Sequence, residues 1–546
     1  FKSKINRIVG GLMQKRIRIV SIGIILIVLF ISIIVLNNNT NNKHTFKKDG
    51  ILYALSLDGN SITSFPSKGL YKANVSCDGA DGKWLYDDWK LSIENITGDV
   101  SCDIKFETIT KTYLNDYILG LAETTQGTGQ VVNETSTIDN STFAAGAKLE
   151  QSGYTISSND ATYPFEWDNT NKTWTSTNHT DSATATFIFN VAAAGNYQVC
   201  YKQSSEKNYD YTIFYKDNTQ IKSLKGISNT DFECYYLGSL TTSNAIKVTY
   251  QKDSSGSNGS DNVIFYLQSG TYNENIQTVS AGIRYEGKNP NNYVWFNNEY
   301  WRIIGVFDTE VVKSDNTKES KSLVKIIRAD VLDVLAWHKS DTNDWTAASL
   351  NKLLNGAYYN AQDGTSSGYC YGYSTKLTAN CDYTKKGIQA GYRGMIANVT
   401  WYLGGYSSAS ATAESFYGYE RGTKVVSGRP TSTTGYIGLM YPSDYGYSVL
   451  SSSCVRTTNL DSYSSSECAG QSWLYGKGSE WTITPYSSRS NYVFNLSGSH
   501  GPAGDGIAGY YLSTYGSGVR PVLYLDDSVY KIDGEGTLDK PYIIGM

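Results

Sequence analysis

The run from Ile19 to Leu36, apolar except for Ser21, Gly23 and Ser32, constrains this chain more than any other stretch. A helix of that length crosses a hydrocarbon core, where every backbone N–H and C=O must be satisfied within the segment itself. Lys2, Lys4, Arg7, Lys15, Arg16 and Arg18 precede it. The positive-inside rule therefore places residues 1–18 in the cytoplasm and the remainder, beyond the 19–36 span, outside. Asn37-Asn38-Asn39-Thr40 follows with no small-x-small cleavage signal, which reads as an uncleaved signal anchor rather than a removed signal peptide. Lys43, Lys47 and Lys48 on the far side weaken the charge bias without reversing it. Residues 37–48 read as a polar stalk. The expected location is the cell membrane, crossed once, with the bulk of the chain extracellular.

Composition narrows what that outer part can be. Net charge is −4 and charged residues are 18% of the chain, so there is no basic field to hold nucleic acid. Tyr outnumbers Phe by 45 to 16, and a ring that buries while its hydroxyl keeps a wet partner suits thin β-layers. Eight cysteines fall beyond the apolar run, where oxidation is permitted. In sequence they form close pairs: Cys77/Cys102, Cys200/Cys234, Cys370/Cys381 and Cys454/Cys468. Nearest-neighbour pairing is one connectivity among many, and buried free thiols are the alternative. Metal ligation is the poorer reading, because no Cys-x-x-Cys occurs and His44, His179, His338 and His500 are scattered.

Hydrophobic periodicity divides the outer part into modules. Residues 49–108 form a small disulfide-linked β module, in which Trp89-Lys-Leu-Ser-Ile93 and Val100-Ser-Cys-Asp-Ile-Lys-Phe106 alternate with period two. Residues 109–140 read as one short helix over 111–122, spaced by Leu114, Tyr117, Ile118 and Leu121, and then a linker. From 141 to 270, Thr184–Val191, Ala245–Tyr250 and Asn262–Leu267 alternate between Gly195-Asn196 and Asp217-Asn218 turns, the pattern of an antiparallel sandwich or jelly roll. The segment 280–546 opens with strands at Tyr300–Phe307 and Leu323–Arg328. A helix capped by Thr346 follows, with Leu350, Leu353, Leu354, Ala357 and Tyr358 at helical spacing. Long Gly/Ser/Tyr stretches and a last strand at Val519–Leu525 complete an α+β layout. The expected class is thus multidomain and β-rich.

Two resemblances sharpen this. Asn289-Pro-Asn-Asn-Tyr-Val294, Phe296-Asn-Asn-Glu-Tyr-Trp-Arg-Ile-Ile-Gly-Val-Phe307, Trp345–Asn355, Gly438–Tyr447, Trp481-Thr-Ile-Thr-Pro485 and Gly518–Leu525 together resemble a family of uncharacterised surface modules from Gram-positive bacteria. More remotely, the order of elements in 280–546 is similar to C-type-lectin-like and formylglycine-generating-enzyme-like folds. The calcium-lectin Trp-Asn-Asp pattern is missing, since Asn343-Asp344-Trp345 runs in another order. The 141–270 module is similar to CUB-like and carbohydrate-binding jelly rolls, through Ser204–Asp210 and Tyr250–Asp261. The CUB resemblance implies one calcium ion on Glu206, Asp210 and Asp253. Hard oxygen ligands from two loops suit extracellular calcium, and a solvated acidic hairpin is the alternative.

No catalytic set emerges. Gly364-Thr-Ser-Ser-Gly368 fits Gly-x-Ser-x-Gly but lacks the apolar strand a nucleophile elbow needs. Ser204-Ser-Glu-Lys207 fits Ser-x-x-Lys without its partner motifs. A glycosidase carboxylate pair is spatial and stays open. Aromatics beside polar donors are the best functional hint, and Trp401, Tyr402, Asp444, Tyr445 and Tyr447 are the expected ligand-binding residues. Core packing is the competing role for such rings and is preferred for Trp301, Trp473 and Trp481. The expected function is adhesion or capture of a glycan, peptide, host or cell-wall ligand at the cell surface. A cell-wall or glycan hydrolase and a structural envelope spacer are the alternatives.

Overall fold

The computed structural model describes residues 45–177, 180–206, 209–225, 232–254, 262–372, 379–452, 454, 456–463, 467–476, 478–497 and 507–546. The 1–18 segment, the 19–36 span and most of the 37–48 stalk lie outside these residues. No helix among the described residues is long and apolar enough to cross a membrane. The chain divides into two units, one of residues 135–279 with 417–424, the other of 1–134, 280–416 and 425–546.

The 135–279 unit is an antiparallel β-sandwich. One sheet runs Glu166–Asp168, Thr173–Thr177, Asn262–Asn273, Gly195–Ser204 and Glu233–Leu240, with Thr142–Lys148 also paired to Asn262–Asn273. The other runs Tyr154–Asn159, Thr184–Val191, Ala245–Gln251, Tyr211–Lys216 and Thr219–Lys225. Period two explains the layering: along Thr184–Val191 the residues Ala185, Phe187, Phe189 and Val191 are buried while those between are not. They meet Val199, Tyr201, Phe265 and Leu267 from the facing sheet in one core. Asp217 and Asn218 both take positive φ (48° and 67°), as a two-residue hairpin turn between Tyr211–Lys216 and Thr219–Lys225 requires. The expected Gly195-Asn196 turn is instead the start of a strand, pinned by pairing to Leu240 and Gly270.

In the other unit, Ile51–Leu57 and Ser101–Thr108 form the centre of a five-stranded sheet, with Tyr71–Asp78 at one edge, over Tyr53, Leu55, Trp84, Ile104 and Phe106. Thr45–Lys48 pairs with Ile51–Leu57, so these four stalk residues are an edge strand. Asp49 and Gly50, at φ 52° and 83°, turn the chain between them. The 111–122 helix is shorter than its spacing suggests, spanning Leu114–Leu119. The segment read as linker holds strands Thr124–Gln126 and Gly129–Asp139. A long hairpin, Glu299–Val312 with Lys318–Arg328, anchors the largest sheet, and a second sheet is built around Glu480–Pro485 and Tyr492–Leu496. Helices are short. Ser349–Leu353 passes into a π-turn at Leu354–Tyr358. Its start is held by His338 Nδ1, which accepts the Ser349 backbone N–H at 2.9 Å, and Thr346 bonds to Asp344 rather than capping.

Four disulfides close the nearest-neighbour pairs Cys77–Cys102, Cys200–Cys234, Cys370–Cys381 and Cys454–Cys468. The first two join directly facing residues of adjacent strands and so fix register as well as connectivity.

Candidate functional site

Strand alternation has a second consequence in the sandwich. While Tyr197, Val199 and Tyr201 point into the core, Asn196, Gln198, Cys200 and Lys202 take the outer side. Along Asn262–Asn273 the same rule sends Val263, Phe265 and Leu267 inward and Tyr266, Gln268, Gly270 and Tyr272 outward. Register then lines Lys148, Gln268, Gln198 and Tyr236 into one row across four strands, and Tyr266, Cys200 and Cys234 into the next.

The outer face is aromatic and ordered. Tyr236 and Tyr272 stack with centroids 3.9 Å apart and planes 11° from parallel. Phe143 lies 5.7 Å from Tyr236 and packs against Gly270, where a Cβ would come within 2.6 Å of its ring and closer still to the Ala144 carbonyl oxygen. That close approach is why glycine stands at 270. At the other end Phe232 meets Tyr266 edge-on at 4.9 Å. Lys148 Nζ sits 4.0 Å from the Tyr266 ring centroid, and Lys202 Nζ 5.0 Å from that of Phe232. The Cys200–Cys234 bridge lies in the same row as Tyr266.

Polar groups fringe the rings. Tyr236 donates its hydroxyl hydrogen bond to Asn196 Oδ1 at 2.8 Å, and Gln198 Nε2 donates to Gln268 Oε1 at 2.8 Å. Partial burial, with Tyr272 and Glu274 close by, pushes the Tyr236 phenol up, so it stays a neutral donor at physiological pH. Phe143, Tyr236, Tyr272, Gln198 and Gln268 are all half-buried, locked by packing yet open on one side. Flat rings, amides and two ammonium groups can stack sugar rings, bond their hydroxyls and meet a sugar carboxylate.

Sequence reasoning named only the two cysteines of this face. The signal was present in the complementary half of a strand already recognised. Asn262–Leu267 was read for its apolar positions, whereas Tyr266-x-Gln268-x-Gly270-x-Tyr272 carries the outer pattern.

At one end of the sandwich the side chain of one expected calcium ligand meets the backbone of the other two. Asp210 is fully buried, its Oδ2 accepting the Glu206 backbone N–H at 3.0 Å and its Oδ1 that of Asp253 at 3.1 Å. One carboxylate thus ties two loops, with both oxygens engaged by the backbone. Among the described residues, no group of three or more His, Cys, Asp or Glu side chains is set to hold a metal ion.

The expected ligand-binding residues belong to the core of the other unit. Trp401, Asp444, Tyr445 and Tyr447 are at most 2% exposed, and Tyr402 is half-buried with its backbone N–H on Tyr441 Oη. Asp444 faces inward to Lys325 Nζ at 2.5 Å and Arg284 Nη1 at 3.0 Å, while Oδ2 also accepts the Tyr441 backbone N–H at 2.9 Å. Burial alone would raise the Asp444 carboxyl, but Lys325 and Arg284 hold it below its usual value. Aromatics beside an acid mark a buried ion cluster here.

No protein-family model matches the sequence, and no curated protein does. Among solved structures, the chain is similar to the carbohydrate-binding module CBM35 from Paenibacillus barcinonensis at 10% identity, covering 25% of this chain and 100% of that one, with a TM-score of 0.14. TmCBM61, solved in complex with β-1,4-galactotriose, aligns at 10% identity over 23% and 91% of the two chains, with a TM-score of 0.15. The secreted serine protease VesC from Vibrio cholerae aligns at 10% identity over 34% of this chain, with a TM-score of 0.16, and only 32% of the protease is spanned. Likenesses this slight say nothing of what the chain binds.

Proposed function

We propose that the chain is a membrane-anchored, outward-facing surface protein whose sandwich holds a glycan against the Phe143–Tyr236–Tyr272 face. The stacked Tyr236–Tyr272 pair carries this reading, because an ordered aromatic surface beside amides is what saccharide rings and hydroxyls require. Lys148 and Lys202 favour a chain bearing acidic sugars. The anchor rests on the Ile19–Leu36 run and its basic flank. The C-terminal α+β module belongs, in this reading, to the Gram-positive surface family it resembles.

Binding of the full chain in detergent to an array of neutral and acidic glycans tests the reading. Acidic oligosaccharides are expected to bind best, and Tyr236→Ala to weaken them by about 1–1.5 kcal/mol, roughly tenfold, without lowering the melting temperature by more than a few degrees. Silence across the array contradicts the reading. Hydrolysis of the bound saccharide would move it to a glycan hydrolase.

The calcium reading of Glu206, Asp210 and Asp253 has its own outcome. A bound ion raises the melting temperature in millimolar calcium over that in chelator, because a ligand of the folded state alone stabilises it. Equal temperatures leave Asp210 as a backbone tie alone.

A further inference from the structure

The 1–134/280–416/425–546 unit contains a cleft of about 460 Å³, within the size range of small-ligand sites. One wall is the edge strand at Lys72–Val75 with Gly82–Asp88, and the other is Trp295, Asn298 and parts of 533–544. Trp295 reaches it by alternation, since Val294 and Phe296 on either side are buried and its own side chain faces out. Its indole is fixed at two points: Nε1 donates to Asp87 Oδ2 at 3.2 Å, and Tyr300 packs edge-on at 5.1 Å. Lys83 Nζ stands 5.7 Å from the ring centroid.

Opposite the indole, donors and acceptors are interleaved. Asp533 accepts from Lys72 Nζ at 3.0 Å and from the Tyr86 hydroxyl at 3.4 Å, and that hydroxyl accepts the Ala73 backbone N–H at 2.8 Å. Trp84, which also lines the cleft, keeps a buried indole N–H with no hydrogen-bond partner among the described residues. Hydroxyl groups, each donor and acceptor at once, match such a wall better than ligands of one polarity. Lining carboxylates outnumber lysines, which disfavours an acidic ligand.

We propose that this cleft is a second binding site, for a short uncharged saccharide seated on the Trp295 indole with its hydroxyls shared among Asp87, Asp533 and Tyr86. It does not depend on the sandwich face, and it takes an uncharged ligand where that face favours an acidic one.

The test titrates the full chain in detergent with neutral trisaccharides of glucose, galactose and N-acetylglucosamine, read by calorimetry. At least one is expected to bind saturably, with Trp295→Ala weakening it tenfold or more and Tyr236→Ala changing it less than twofold. Asp533→Asn, nearly isosteric, serves if Trp295→Ala fails to fold, and is expected to weaken binding at least fivefold at an unchanged melting temperature. Binding by no trisaccharide overturns the proposal. So does binding indifferent to the cleft variants, or loss of binding with Tyr236→Ala.

Discussion

Replacing Asp444 with Ala is expected to destabilise the C-terminal part of the chain by about 3–5 kcal/mol, the largest single effect in the molecule. Lys325 and Arg284 are each at most 2% exposed and both direct their charge at this one carboxylate. Its removal leaves two cations buried together, and the Tyr441 backbone N–H loses the acceptor that opens the Pro442–Ser448 helix. Asp444→Asn keeps the shape but not the charge and is expected to be nearly as harmful. The pH dependence has a definite sign. Asp444 has a depressed pKa in the folded state, so its contribution is fully present above the unfolded carboxyl value near ~3.9 and is lost as pH falls through the lower folded one. Thermal melts of wild type and Asp444→Asn from pH 3 to 7 check this. Wild type should converge on the variant only at the acid end, and a parallel pair of curves would contradict the assignment.

Loss of the Cys200–Cys234 bridge is the second large effect. The two residues lie 34 apart in sequence, and opening a loop of that size costs roughly 3–4 kcal/mol in the chain-entropy account. The paired change Cys200→Ser with Cys234→Ser should therefore lower the melting temperature of the sandwich strongly. Functional loss should accompany it. The bridge fixes Glu233–Leu240 against Gly195–Ser204, and that register is what brings Tyr236 over to Tyr272. Glycan affinity measured well below the variant's melting temperature should still fall. A variant that is less stable yet binds as well as wild type would show that the bridge serves stability alone.

Much of the architecture was legible wherever a single strand carried its own pattern. Thr184–Val191 reads as half-buried because every second residue is apolar, and Asp217-Asn218 reads as a turn because both residues tolerate positive φ. Gly195-Asn196 misled by the same logic. Its composition fits a turn, but pairing on both sides makes it the start of a central strand. The stalk and linker readings failed at Thr45–Lys48 and Gly129–Asp139 because polar strands lack the apolar alternation by which strands are recognised.

The binding face was hidden for a different reason. Phe143, Tyr236 and Tyr272 come from three strands far apart in the chain, and only sheet order brings them together. Asp444 shows the converse. Beside Tyr441, Tyr445 and Tyr447 it has the local look of a sugar site, yet its partners sit 119 and 160 residues earlier. Local composition cannot distinguish an inward from an outward acid when the deciding cations are that remote.

Hydrogen–deuterium exchange of the full chain, with and without a saturating acidic oligosaccharide, tests the glycan-binding face most directly. The added protection should concentrate in Thr142–Lys148, Glu233–Leu240 and Asn262–Asn273, the strands that present Phe143, Tyr236 and Tyr272. Unchanged exchange in those three strands while protection appears elsewhere would contradict it.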